Sequence, residues 1–211
     1  MRNDLIIDFE TFGLNQSTCP IINMSAFAFE WERFKVEPYT FMELVEGAKT
    51  FKVSVKDQTK NYNYVPEKET VQFWQDQPDN VRKQVIPTKN DLTLVDFCDS
   101  FLEYLLKAPD ISYWWSRNNG YDPIILWTAY RNTDKKHSLD QYLPFWKLRD
   151  TKTYIDAKFD FENKNSFIPI TDEVYWKENF QMHNSKHDIA ADIMRLQTIY
   201  RAENDMEIPS K

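Results

Sequence analysis

Asp8 and Glu10 close the apolar run Leu5-Ile6-Ile7 in the segment DLIIDFETFG. A carboxylate at the end of a buried strand is costly unless something compensates its charge, and a hard cation bound through oxygen is the simplest compensation. Side chains alternate across a strand, so residues two apart share a face and can share one cation or a pair. A third acid, Asp122, lies in SRNNGYDPIIL, after the turn Asn118-Asn119-Gly120. It falls in the first turn of the following helix, where the dipole favours an anion. The fourth element is HDIAAD, His187 to Asp192, at the start of the last strong helical pattern. Asp188 is expected to cap that helix, leaving His187 in the preceding loop and turning Asp192 inward one turn later. An imidazole with a pKa of about 6.5 accepts a proton at neutral pH.

Four carboxylates from three separated segments suit a two-metal site for phosphoryl chemistry. One ion activates water and the other stabilises the leaving oxygen, with the ions roughly 3.5–4 Å apart. A zinc hydrolase fits less well: His137 and His183 make no HExxH-like ligand set, and carboxylate-only sites favour Mg²⁺ or Mn²⁺. Gly13 follows the first acid pair and Gly120 precedes Asp122. Two of only three glycines thus stand where backbone must turn tightly or approach a ligand.

The elements that must position these groups belong to a chain of 211 residues, long enough for one α/β domain with a sizeable core. Its 7 Trp, 11 Tyr and 15 Phe, with 28% charged residues, describe a globular protein rather than a disordered one. The net charge of -7 argues against broad electrostatic binding to a polyanion but leaves room for a local basic groove or a metal-bridged phosphate. Cys19 and Cys98 form no CxxC and no disulfide framework, which fits a reducing cytosol. Asp8 interrupts the N-terminal apolar run, so a signal peptide is not expected, nor is a membrane span.

Strands are expected over 4–9, 21–29 and 39–45, the first part of a mixed sheet, followed by irregular chain over 48–66. ETVQFWQ starts a helix running to about Val85, capped by Thr70 or Glu69, divided at Pro78 and stopped by Pro87. Asp91 opens an amphipathic helix with Leu94, Phe97, Phe101, Leu102 and Leu105 at helical spacing. A strand over 111–115, a helix from Tyr121 to Tyr130 and a short helix near 150–158 follow. The last helix starts at His187 or Asp188 and reaches about Ala202, with Ile189, Ile193, Leu196 and Tyr200 as its apolar stripe. The expected organisation is a single domain over 1–202 and a polar tail over 203–211.

DFET, then the Asp of GYDPIIL, then HDIAAD with His five residues before Asp, resembles the DEDDh 3′–5′ exonucleases. The resemblance implies a ribonuclease H-like fold, a mixed central sheet flanked by helices. It implies that Asp8, Glu10, Asp122 and Asp192 are four metal-binding acids and that His187 is the general base. The tyrosine-type subclass would place Tyr four residues before the last Asp, where this chain has Asp188. ETVQFWQDQPDNVRKQV and KLRDTKTYID narrow the likeness to the branch that holds the exonuclease A of T-even phages and related exoribonucleases, over nearly the whole chain. Lys152 departs from the Arg usual in that branch, which puts any fork-type contact there in doubt.

The resemblance implies an enzyme that uses two Mg²⁺, or Mn²⁺, to release 5′-mononucleotides from the free 3′ end of single-stranded nucleic acid in the cytoplasm, the host's if the chain is phage-encoded. DNA is favoured by the phage likeness; a 3′–5′ exoribonuclease or oligoribonuclease with the same site is the alternative. From another class, an inactive nucleic-acid-binding module would be expected to have lost at least one ligand. Thr11, Phe12 and Gly13, beside the first acid pair, are candidates for the terminal nucleotide. Phe12 could wedge against a base and Trp74 could stack on one or be buried by its helix. His183 is expected to be structural.

Overall fold

A computed structural model describes residues 2–158 and 178–206. The centre is a five-stranded sheet of order β3-β2-β1-β4-β5, formed by β1 (Asn3–Thr11), β2 (Ile21–Glu30), β3 (Lys49–Lys52), β4 (Ile111–Ser116) and β5 (Leu148–Asp150). The first three strands pair antiparallel, while β4 pairs parallel with both β1 and β5. The sheet is thus mixed, and helices cover both faces.

Alternation along β1 decides which residue meets which helix layer. Leu5, Ile7 and Phe9 face a core built with α6 (Leu94–Lys107), α7 (Asp122–Asn132) and α8 (Lys136–Tyr142). Ile6 faces the other way, into a core with Phe34, Phe41, Leu44, Trp115 and the stripe Ile189, Ile193 and Leu196. That second layer comprises α1 (Arg33–Val36), α2 (Phe41–Gly47) and the last helix, α10 (Ser185–Glu203). Asp4, Asp8 and Glu10 share the parity of Ile6, so the strand aims all three at the side occupied by α10.

Asp4 shows how this fold buries a charge it intends to keep. The residue is fully buried, and its carboxylate accepts from Arg2 Nε (3.2 Å) and Nη2 (2.7 Å), from the indole N–H groups of Trp31 and Trp115 (2.8 Å each), and from the Tyr113 backbone N–H (3.2 Å). It ties β1, β4 and the end of β2 together.

Several expected elements differ. Residues 39–45 are not a strand: Thr40 and Glu43 form a capping box and start α2, burying Phe41 and Leu44 at helical spacing. The third strand is Lys49–Lys52 instead. The stretch expected to be irregular also holds α3 (Val55–Asn61), where buried Gln58 exchanges hydrogen bonds with both the N–H and the C=O of Ile21 (2.8 Å each). Pro78 does separate α4 (Lys68–Gln75) from α5 (Asp79–Arg82), but Glu67 is the N-cap residue of α4. Thr93, not Asp91, caps α6. A 3-10 turn at Phe145–Lys147 leads into β5, and α9 (Thr151–Lys158) follows. No helix among the described residues is long and apolar enough to cross a membrane. The tail beyond Met206 lies outside the described residues.

Asp4→Ala would strand the buried indole donor of Trp115, the half-buried one of Trp31, and Arg2. Each orphaned buried donor costs about 1–3 kcal/mol, so urea unfolding should show a loss of at least about 2 kcal/mol. A loss below about 1 kcal/mol would contradict the anchoring role.

Candidate active site

Asp8 and Glu10 emerge where β1 ends beneath the start of α10, and Asp188 reaches them from the first turn of that helix. One carboxylate oxygen from each of Asp8, Glu10 and Asp188 lies within 4.8 Å of the others. Asp122, 4% exposed at the start of α7, and Asp192, 2% exposed one turn past Asp188, line the same cleft of about 360 Å³. Arg117, Tyr121, Phe180, His183 and Arg195 complete much of its wall.

The electrostatics separate two kinds of acid. Asp192 accepts from Arg117 Nη1 and Arg195 Nη1 (2.5 Å each) and from Thr151 Oγ1 (2.6 Å), so its charge is matched within the protein. Asp8 and Glu10 accept no hydrogen bond from the described residues. Burial, followed by the charges of Asp122 and Asp188, raises the Asp8 carboxyl far above its ordinary range; burial, then Asp188 and Asp122, does the same to Glu10. Burial pushes Asp122 up to about 8, with Asp192 and Asp150 adding to the rise and the Phe9 backbone N–H opposing it. Burial and then Asp192 raise Asp188 to about 7, against Arg195 and Arg117. Oxygen donors held this close, mutually repelling and without a cation of their own, fit a hard divalent metal ion.

The expected residues fall into place unevenly. Asp8, Glu10, Asp122 and Asp192 meet in one cleft. Asp188 does not cap α10; Asn184 does, and Asp188 belongs to the acidic cluster. The signal was legible, because Asp188 and Asp192 stand four apart and therefore share a helix face. His187 lies within the first turn of α10 rather than in a loop. Its ring packs at 5.5 Å from Phe41 and 6.3 Å from Phe180, and its Nδ1 accepts from the Gln181 N–H (3.2 Å). His183 lines the cleft, held in the left-handed backbone region (φ 60°) and packed edge-on against Phe73 at 4.9 Å.

Beside the acids, and sharing Phe9, Glu10, Tyr121 and His183 with them, lies an apolar recess of about 420 Å³. Thr11, Gly13, Leu14, Phe73 and Trp74 line it. Thr11 works mainly as a pin: its Oγ1 donates to the Gly13 carbonyl (2.8 Å), its carbonyl accepts from the Trp74 indole (2.9 Å), and Tyr121 OH donates to the same Gly13 carbonyl (2.6 Å). Trp74 is 2% exposed and packs with Ile22 and Val81, so it is a wall of the recess rather than an open stacking platform. Phe12 packs against that cluster and does not line the recess, where Phe73 and Leu14 present their side chains instead. A Cβ on Gly13 would meet Glu67 Oε1 at 2.9 Å and Cys19 Cβ at 3.0 Å, so a side chain here would make both neighbours shift. Gly120 does not have a positive φ, and no left-handed turn demands it.

The mixed sheet with a carboxylate cleft at the end of its first strand agrees with the DEDD exonuclease superfamily, to which the family match assigns the chain. The chain belongs to the family described as the 3'-5' exoribonuclease Rv2179c-like domain, matched over residues 3–200, and it is a 3′–5′ exonuclease. An exodeoxyribonuclease of Enterobacteria phage T4 is 28% identical over 217 residues, covering 97% of this chain and 92% of that protein. Among solved structures, E. coli exonuclease I with a 5cy-dA13 oligonucleotide superposes with a TM-score of 0.59 at 16% identity, over 96% of this chain and 41% of that one. The zinc-bound form of its complex with single-stranded DNA gives 0.58 at 14% identity, over 97% and 41%. These two likenesses are of fold, and the chain spans about two-fifths of exonuclease I.

Carboxyls with raised values keep protons in the folded state that the unfolded chain has released. Without metal, stability should therefore fall as pH rises from about 4 to about 8, the value of Asp122. Asp122→Asn should flatten that fall and raise the apo Tm at pH 8, by about 2–4 °C per kcal/mol relieved. Mg²⁺ should raise the Tm of the unsubstituted protein at the same pH. Calorimetry at pH 5 and 8 checks both; an apo Tm that rises with pH across this window would contradict the carboxylate repulsion.

Proposed function

We propose that one exonuclease domain over 1–202 removes 5′-mononucleotides stepwise from the 3′ end of single-stranded nucleic acid, with DNA preferred. The observation that carries this reading is the junction of the acidic cleft with the apolar recess. A terminal base in the recess, against Phe73, Leu14 and the edge of Trp74, would put the scissile phosphodiester on its 5′ side beside Asp8, Glu10 and Asp188. The whole-length likeness to the phage exodeoxyribonuclease supports DNA, and the family description supports RNA as the alternative.

Asp8, Glu10 and Asp188 would hold divalent cations, with Asp122 and Asp192 at the margins of the site. Two Mg²⁺ or Mn²⁺ would supply activation of the attacking water and stabilisation of the leaving oxygen. The chain itself orients the substrate: Thr11, Tyr121 and Trp74 fix the loop that walls the recess, and Arg117 and Arg195 hold Asp192.

His187 is the proposed proton acceptor. In the present arrangement its Nδ1 lone pair is occupied by the Gln181 N–H, so the proton of the neutral ring sits on Nε2. Base action at Nδ1 therefore requires the Gln181 contact to open. His183 gives a second reading because it already lines the cleft. Burial lowers the pKa of both rings, so either is neutral at pH 7 and its rate limb rises with pH through values below about 6.5.

Asp8→Ala, Glu10→Ala, Asp122→Ala, Asp188→Ala and Asp192→Ala should each remove most turnover in Mg²⁺, and EDTA should abolish it. A 5′-labelled single strand should give a descending ladder, while a closed single-stranded circle should stay intact. Matched DNA and RNA oligonucleotides decide the sugar. Activity in exhaustive EDTA, or cutting of the circle, overturns the reading.

His187→Ala should lose about 10²–10⁴-fold in kcat and flatten the acidic limb, with His183→Ala costing much less. The reverse pattern in kcat at saturating Mg²⁺ would transfer the role to His183.

A further inference from the structure

The end of the sheet where β1, β4 and β5 begin, opposite the end that carries the acids, bears a patch that the reaction does not use. Arg2, Ser112, Tyr113, Trp146, Lys147 and Arg149 surround a shallow recess of about 590 Å³, with no acidic residue in its lining. On a chain of net charge -7 this is a local reversal of sign. Trp146 is 64% exposed, so its indole contributes little to the core. The Arg149 guanidinium stacks over Tyr113 at 4.1 Å and donates to the carbonyls of Trp146 (3.1 Å) and Leu148 (2.7 Å). Lys147 Nζ donates to the Ile111 carbonyl (3.0 Å). Neither cation pairs with a carboxylate among the described residues. Arg2 is matched by buried Asp4, so the outward excess of charge comes from Lys147 and Arg149.

Backbone connectivity relates the patch to the cleft. β5 is an edge strand whose last residue, Asp150, accepts from the Asn119 N–H (2.8 Å) next to the cleft wall, while Arg149, Lys147 and Trp146 recede from it. Through Trp115, Arg149 stands level with Ile6, two residues back from Asp8 and two strands across, about 12 Å at the strand rise and spacing, with Lys147 and Trp146 further back. At about 3.4 Å per stacked nucleotide the distance to Arg149 spans about three to four nucleotides.

We propose that the exposed Trp146 with Lys147 and Arg149 forms a second contact for single-stranded nucleic acid, gripping the strand several nucleotides upstream of the 3′ end held in the cleft. The proposal rests on the exonuclease reading. The indole stacks on a base without regard to its identity and the two cations take phosphates, the combination by which single strands are held independently of sequence.

The test uses the full chain, the double variant Lys147→Glu/Arg149→Glu and Trp146→Ala, with substrates of about 3 and about 20 nucleotides, the shorter unable to reach the patch. For the longer substrate, KM should rise about 10-fold in the double variant and about 5-fold or more in Trp146→Ala. Turnover of the trinucleotide should be unchanged in both. The salt slope of log KM for the long substrate should shrink by about 1.4 in the double variant, two phosphate contacts at about 0.7 each. Unchanged KM for the long substrate, or equal loss on both lengths, overturns the proposal; a patch serving an acidic protein partner would give the first result. If the unsubstituted protein degrades neither substrate, the exonuclease reading has failed. Fluorescence anisotropy of the intact labelled 20-mer then decides the patch alone, since a Kd unchanged by the double variant still overturns it.

Discussion

Uncompensated negative charge at the end of β1 is the constraint around which this molecule is organised. Asp4 and Asp8 stand four residues apart on the same face of one strand. Asp4 receives Arg2, two indoles and a backbone amide, and becomes an anchor between strands. Asp8 and Glu10 receive nothing comparable, and Asp122 and Asp188 crowd them. The fold supplies donors generously where a buried carboxylate is structural and withholds them where it is not. That contrast within a single strand fits the cleft to a cation rather than to a structural ion pair.

The cost is borne by α10. Its stripe of Ile189, Ile193 and Leu196 packs on Ile6 and Trp115, and this apolar contact presses Asp188 toward the acids of β1. The same helix carries Arg195, which with Arg117 and Thr151 neutralises Asp192. Hydrophobic burial along one helix therefore offsets the repulsion at its N-terminal end, and the two guanidiniums set which acids remain unmatched. Substrate and metal binding would have to work against, or rearrange, those arginine contacts to recruit Asp192.

The recess beside the acids depends on a small hydrogen-bond network. Thr11, Gly13, Trp74 and Tyr121 come from three distant segments, yet they meet within single hydrogen bonds of one another. Trp74 thereby joins the loop after β1 to α4 and gives the recess a rigid wall, which explains why this indole is almost wholly buried. Phe73, the next residue back, is the more exposed ring on that wall.

Much of this was legible in the chain itself. The continuous apolar run Leu5-Ile6-Ile7 marked the central strand, and the alternation of side chains along any strand put Asp8 and Glu10 on one face. The order of DFET, GYDPIIL and HDIAAD indicated the family, its fold and the acids that gather. Local rules were also sufficient where they were applied, as at Pro78; at 39–45 the aromatic composition suggested a strand, while the Thr40–Glu43 capping box decided for a helix. Other features depend on long-range contacts. That Asp188 joins the acids while Asp192 is claimed by Arg117 and Thr151 depends on how α10 sits over the sheet. That Trp74 is wall rather than platform depends on Thr11, 63 residues away. That His183 faces the cleft while His187 packs on Phe41 depends on the turn before α10. A sequence sets spacing and periodicity along one chain, but which partner satisfies a charge is settled only when distant segments are brought within hydrogen-bond reach.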